Sequence, residues 1–217
     1  MARGSVLLAL TLAALAGAHM KRVTMELGGH SPVIVFDDAE VERAADMLVA
    51  FKFRNAGQVC VSPTRFYIQQ QAYDRFVARF IEKTKAVKVG DGLAADTKMG
   101  PLAHLRRMPA MLKFVEDATA RGGRIEIGGE ALGGEGNFFA PTVLTNVPDD
   151  SMVMTSEPFG PIAPCVPFKD LDEVLGRANA LPYGLSSYAF TTNTKNALAV
   201  QNGLQAGMVN INIPKYY

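Results

Sequence analysis

The sequence predicts an α/β fold, a mostly parallel sheet with flanking helices, on three observations. Short apolar runs alternate with segments of helical period along the chain. The 217 residues, 48 % hydrophobic and 20 % charged, are enough to build a core without staples. No internal repeat, coiled coil, charge block or linker interrupts the alternation.

The elements follow in order. Met1-Ala2-Arg3 and the apolar run 6–18 imitate a secretory signal, with Ala14-Leu15-Ala16 as a cleavage-like site. That run is 13 residues long. A bilayer-spanning helix needs about 20, so a buried helix is the expectation. Thr24 and Met25 read as strand-like. Residues 33–36, Val-Ile-Val-Phe, read as a buried strand. Asp37-Asp38 is the expected N-cap of a helix whose apolar face carries Val41, Ala44, Leu48 and Phe51. That helix should end near Asn55-Ala56-Gly57, where glycine takes a left-handed turn.

Residues 65–69 predict the next strand, and Tyr73, Phe76, Val77 and Phe80 mark a second amphipathic helix. Leu105, Met108, Leu112 and Val115 mark another, which Pro109 should either kink or begin. Ile125-Glu126-Ile127 before Gly128-Gly129 reads as a short strand and turn. Strands are expected over 162–168, 186–191 and 207–212, separated by helices over 170–180 and 194–202 that capping residues open.

Composition narrows the function. Lys plus Arg number 22 against 21 Asp plus Glu, a net charge of +1, which leaves no electrostatic footprint for nucleic acid or an anionic membrane. Two cysteines, Cys60 and Cys165, do not make a disulfide scaffold and point to a reducing compartment. His19, His30 and His104 are scattered, and no Cys/His/Asp cluster has metal-ligand spacing. Neither G-x-G-x-x-G after a strand nor G-x-x-x-x-G-K-[ST] is present.

Three segments carry chemistry. Cys60 ends Asn55-Ala56-Gly57-Gln58-Val59-Cys60, in a loop between a helix and a strand. It reads either as a buried structural thiol or as a nucleophile presented to a cleft. Glu26-Leu27-Gly28-Gly29 joins a carboxylate to two glycines that allow close backbone approach. Glu26 is there either a solvated turn residue or a general base. Glu157-Pro158-Phe159-Gly160-Pro161 is a rigid loop, either a connector or a mount for a carboxylate that accepts bonds from ribose hydroxyls.

Together these segments resemble the aldehyde dehydrogenase superfamily. Met25 to Pro32 is similar to its glutamate motif, Phe53 to Cys60 to its cysteine motif, and Glu157 to Pro161 to its third motif. Cys60 stands 34 residues after Glu26, and Glu157 a further 97 on, in keeping with the family pattern. Met99-Gly100-Pro101-Leu102, Pro182-Tyr183-Gly184-Leu185 and Gly207-Met208-Val209-Asn210 are family-like as well.

The resemblance implies an aldehyde dehydrogenase-like catalytic domain that oxidises an aldehyde to a carboxylic acid with NAD or NADP. In that reading Cys60 attacks the carbonyl and Glu26 activates water. Glu157 holds the nicotinamide ribose, Phe159 lies beside the ring and the Leu27 backbone meets the carboxamide. It further implies a small-molecule aldehyde partner, a homo-oligomeric parent and a cytoplasmic setting.

Family members are roughly twice as long, with a dinucleotide domain first. Residues 1–25 then read as a helix and strand from the end of that domain, and 26–217 as a catalytic domain incomplete at its C-terminus. Ile213-Pro214-Lys215-Tyr216-Tyr217 stands where a substrate loop is expected. An exposed apolar patch and weak turnover by the chain alone are the corresponding expectations. Two other readings stay open: a cofactor-independent thiol esterase or acyl transferase, and a non-catalytic fragment of the same fold. Arg65, shortly after the cysteine, is either a surface residue or one that recognises a carboxylate at the far end of a semialdehyde.

Overall fold

The computed structural model describes residues 3–213. At its centre is a seven-stranded sheet of order β3-β4-β5-β2-β1-β6-β7. The strands are β1 (Ser31–Val35), β2 (Pro63–Gln69), β3 (Arg124–Ile127), β4 (Thr142–Thr145), β5 (Ile162–Phe168), β6 (Ser186–Phe190) and β7 (Met208–Ile211). All neighbours run parallel except β3, which pairs antiparallel with β4 at one edge. β1, β4 and β6 are buried along their whole length, the burial expected of parallel strands covered on both faces.

The helices are α1 (Arg3–Ala18), α2 (Val41–Phe53), α3 (Tyr73–Lys85), α4 (Arg107–Ala120), α5 (Met152–Thr155), α6 (Leu171–Asn179) and α7 (Thr194–Gly203). α2 packs on α3, α4 on α5, and α6 on α7. Phe80 of α3 is the hub of an aromatic cluster. Its ring lies 5.3 Å from Phe66, 5.5 Å from Phe76 and 6.3 Å from Phe53. All four side chains are buried, each contributing about 2–3 kcal/mol of apolar transfer. Asp170 and Asn193 cap α6 and α7 by accepting from the Glu173 and Lys195 amides, as the sequence anticipates.

The structure corrects several expectations. α1 is a helix, but Leu7, Leu8, Leu10, Leu12 and Leu15 are exposed, so it is not buried. Its leucines instead form the exposed apolar patch. No helix among the described residues is long and apolar enough to cross a membrane. Thr24 and Met25 lie in an irregular segment, not a strand.

The cap of α2 is Glu40, without a side-chain bond. Asp38 is engaged elsewhere, accepting from Thr191 Oγ1 and the Thr192 amide beyond β6. α4 buries Met111, Phe114, Val115 and Ala118, and of the expected stripe Val115 is in the core and Met108 packs half-buried against it, with Met111 buried in place of Leu112. Leu105 precedes the helix and Leu112 points outward, both exposed. Pro109 sits in the first turn, where its missing N–H costs nothing. β4 and α5 were not anticipated. Residues 214–217, most of the segment set against the family's substrate loop, lie outside the described residues.

Candidate active site

Each chemistry-bearing segment leads directly into a strand. Glu26 to Gly29 precedes β1, Cys60 precedes β2, and Glu157 to Pro161 precedes β5. These three strands are neighbours in the order β5-β2-β1 and run parallel, so their leading ends share one edge of the sheet. Segments far apart in sequence are thereby brought together. Open parallel sheets more often bind ligands beyond the carboxyl ends of their strands, whereas these three segments gather at the amino ends.

The Cys60 loop is held from several directions. After Phe53 the chain makes a 3₁₀ turn over Arg54–Gly57 in which Asn55, Ala56 and Gly57 all take positive φ, at 52°, 54° and 69°. Left-handed conformations at non-glycine residues are costly and persist only where surroundings impose them. Asn55 Nδ2 donates to the Gln58 carbonyl, and Gln58 Nε2 donates to the Asn55 carbonyl, at 2.9 and 3.0 Å. Gln58 Oε1 accepts from the Ala103 amide at 2.8 Å, tying the loop to the segment before α4. Tyr188 of β6 donates to the Val61 carbonyl at 2.6 Å, one residue beyond the thiol.

Two glycines make the close approaches possible. A Cβ on Gly29 would stand 2.2 Å from the Cys60 carbonyl oxygen, and one on Gly57 2.3 Å from that of Gly160. Glycine is needed at both for the three segments to touch.

Glu26 and Leu27 are exposed, Cys60, Glu157 and Phe159 half-buried. All five sequence-predicted site residues line a single open cleft of about 500 Å³, together with Gly28, Gln58 and Val59. Glu157 Oε1 accepts from the Gly29 amide at 3.0 Å, so the third segment is hydrogen-bonded to the first. Burial pushes the Glu157 carboxyl above its ordinary value, opposed by that N–H and by Arg107. Phe159 takes φ 41°, which turns the chain at the mouth of the cleft. Among the described residues no group of His, Cys, Asp and Glu is placed to hold a metal ion.

Arg65 departs from both sequence readings. It is 1 % exposed and donates to the carbonyls of His30, Arg177 and Ala178 at 3.0, 3.2 and 2.9 Å. Its donors are thus spent on backbone acceptors between β1 and α6, not on surface contacts or a substrate. Cys165 is buried, and burial pushes its thiol far above the ordinary range, as befits an inert control.

Lys52 and Arg107 escaped the sequence reading. Lys52 falls four residues after Leu48 on the apolar face of α2, and a cation on a core stripe was the available signal. It is fully buried, its Nζ lacks a hydrogen-bond partner among the described residues, and burial pulls its pKa down to about 7. Burial, then the charges of Arg65 and Lys52, hold His30 far below its ordinary value, so its ring is neutral.

A measurable pH dependence follows. Between about 7 and the ordinary 10.5, the unfolded chain binds a proton at Lys52 that the folded chain does not. Stability therefore rises with pH across that window, and below it the full penalty is present. Lys52→Met removes the slope and is expected to stabilise the protein at and below neutral pH, by on the order of 4 kcal/mol. Urea unfolding of both proteins near neutral and near pH 10 checks this; an unchanged difference between them would refute it.

The model of the aldehyde dehydrogenase family matches residues 2–216. The chain belongs to the aldehyde dehydrogenase family. A 4-(hydroxymethyl)benzenesulfonate dehydrogenase of Comamonas testosteroni is 46 % identical over 209 residues, covering 96 % of this chain and 43 % of that protein. The NADP-dependent succinate-semialdehyde dehydrogenase of Escherichia coli is 39 % identical over 193 residues, covering 89 % of this chain and 40 % of its own length.

Among solved structures, the lactaldehyde dehydrogenase of Escherichia coli superposes with a TM-score of 0.90 at 36 % identity, covering 96 % of this chain and 44 % of that one. An NADP-dependent enzyme of the same organism reaches 0.92 at 37 %, covering 97 % and 44 %. The chain thus spans under half the length of these proteins. The match bears out the family resemblance drawn from the motifs.

Proposed function

We propose that this chain carries the catalytic centre of an NAD(P)-dependent oxidation of an aldehyde to a carboxylic acid. The observation that carries the reading is the meeting of Cys60, Glu26, Leu27, Glu157 and Phe159 in one cleft from three separate segments. The Cys60 thiolate adds to the carbonyl carbon, forming a thiohemiacetal, with the Cys60 amide N–H read as one donor to its oxygen. Loss of hydride with its electron pair leaves a thioester on Cys60. Glu26 takes a proton from water, the water oxygen adds to the thioester, and the thiolate departs to leave a carboxylate.

The cleft fits the cofactor's nicotinamide end. Glu157 keeps one oxygen on Gly29 and has Oε2 beside Gly28. Phe159 and Leu27 line the same cleft, and in this reading Phe159 lies beside the ring and the Leu27 backbone meets the carboxamide. A nicotinamide bound there supplies the hydride acceptor. Residues 1–25 are read as the end of a cofactor domain, 26–217 as a catalytic domain incomplete at its C-terminus, and the intact parent as a cytoplasmic homo-oligomer.

Two relatives are named for substrates bearing a sulfonate or a carboxylate remote from the reacting carbon. With Arg65 committed to backbone, Arg54 is the cation that fits such a group. It is exposed, six residues before the thiol, and forms no ion pair among the described residues. Single-turnover assays with enzyme in excess, following the nicotinamide absorbance, test the reading. Succinate semialdehyde is expected to react about tenfold faster than a neutral aldehyde of equal length, and Arg54→Met to erase that preference, the size of one charge-assisted bond. Ester hydrolysis at Cys60 by a chain that binds NADP yet forms no reduced nicotinamide from any aldehyde would instead establish cofactor-independent acyl transfer.

A further inference from the structure

One side chain reaches the cofactor-facing loop from outside the three motifs. Arg107 opens α4, half-buried, and its Nη2 donates to the carbonyls of both Pro158 and Phe159, the latter at 3.3 Å. Its Nε is buried without a hydrogen-bond partner among the described residues, so the guanidinium is committed to this loop and to the charge of Glu157. The loop it grips needs a fastener. Phe159 sits at φ 41° in a segment whose flanking prolines have no N–H to donate. The segment just before α4 meanwhile holds Gln58 of the thiol loop through Ala103. One stretch, residues 101–107, therefore braces both walls of the cleft.

We propose that Arg107 is a positioning residue: its paired bonds to Pro158 and Phe159 hold the left-handed turn and so fix where the Phe159 ring and Glu157 carboxylate stand. Its catalytic consequence rests on the cofactor reading above, but its structural core does not. Loss of the guanidinium frees the turn, weakens the Glu157–Gly29 bond and loosens the lead into β5, where the Ile162 amide donates to the Gly160 carbonyl at 3.0 Å. The thiol loop, held by Gln58 and Tyr188, stays in place.

Amide hydrogen exchange by NMR on the full chain tests this, comparing wild type, Arg107→Met and Arg107→Lys. In Arg107→Met, exchange at Gly29 and Ile162 is expected to rise about tenfold or more, the loss of a charge-assisted bond, with Phe76 in α3 unchanged. Arg107→Lys restores a large part of the protection. Unchanged exchange at Gly29 and Ile162, or an equal rise at Phe76, would overturn the proposal. The apparent affinity for NADP in single turnovers should fall by a similar factor while acylation of Cys60 by an activated ester holds. If Glu157→Gln and Phe159→Ala leave cofactor affinity untouched, the cofactor reading fails, and the exchange data still decide the role of Arg107.

Discussion

Cys60→Ser is expected to lower single-turnover aldehyde oxidation by roughly a thousandfold or more, because a neutral serine hydroxyl is a far weaker nucleophile near neutral pH than a thiolate. The exchange is nearly isosteric, and Cys60 is half-buried in a cleft wall, not in the core. Thermal unfolding should therefore move by less than about 1 kcal/mol in stability. Cys165→Ser is the contrasting control. It puts a hydroxyl at a fully buried strand position, and is expected to cost stability while leaving the chemistry intact. Loss of activity in Cys165→Ser with retention in Cys60→Ser would reverse the assignment.

Gly57→Ala carries the second large effect. Gly57 is the third consecutive left-handed residue, and a Cβ there would lie 2.3 Å from the Gly160 oxygen and 2.7 Å from its carbon. The methyl meets backbone, which cannot swing aside, so the thiol loop and the Glu157 loop must separate. A loss of about 2–4 kcal/mol is expected, from left-handed strain and overpacking together. Acylation of Cys60 should slow as well, since the separated loops are the two walls of the cleft. Gly176→Ala has the opposite sign. Gly176 lies exposed within α6 with nothing near its missing Cβ, so alanine there should add about 0.5–1 kcal/mol. Denaturant unfolding of the two variants side by side separates steric conflict from helix propensity; equal shifts would contradict this account.

Much of the fold was legible because its strands are short apolar runs between polar turns. Residues 33–36 and 162–168 could be little else, and the alternation with helical periods forces a parallel sheet. Thr142–Thr145 escaped because four residues after a proline carry too little pattern to stand out from a loop. The cleft residues were legible as motifs, whereas their convergence depends on β5, β2 and β1 being neighbours, which no local pattern encodes.

Arg65 and Lys52 show the other limit. Each looks like a surface cation by type, and what decides its place is the set of backbone carbonyls or the apolar face that tertiary packing brings to it. α1 shows the converse, an apolar run read as buried whose leucines face outward.

The central claim is that Cys60 and Glu26 divide the chemistry of one cleft, the thiol taking up the acyl group and the carboxylate releasing it. Mass analysis of Glu26→Gln after reaction with an activated ester tests it most directly, because it needs no cofactor. The account predicts one acyl group per chain, mapped to Cys60, persisting at least about a hundredfold longer than in wild type, the usual worth of a general base. An acyl group on any other residue, or a thioester on Cys60 that decays as fast without Glu26 as with it, would contradict the account.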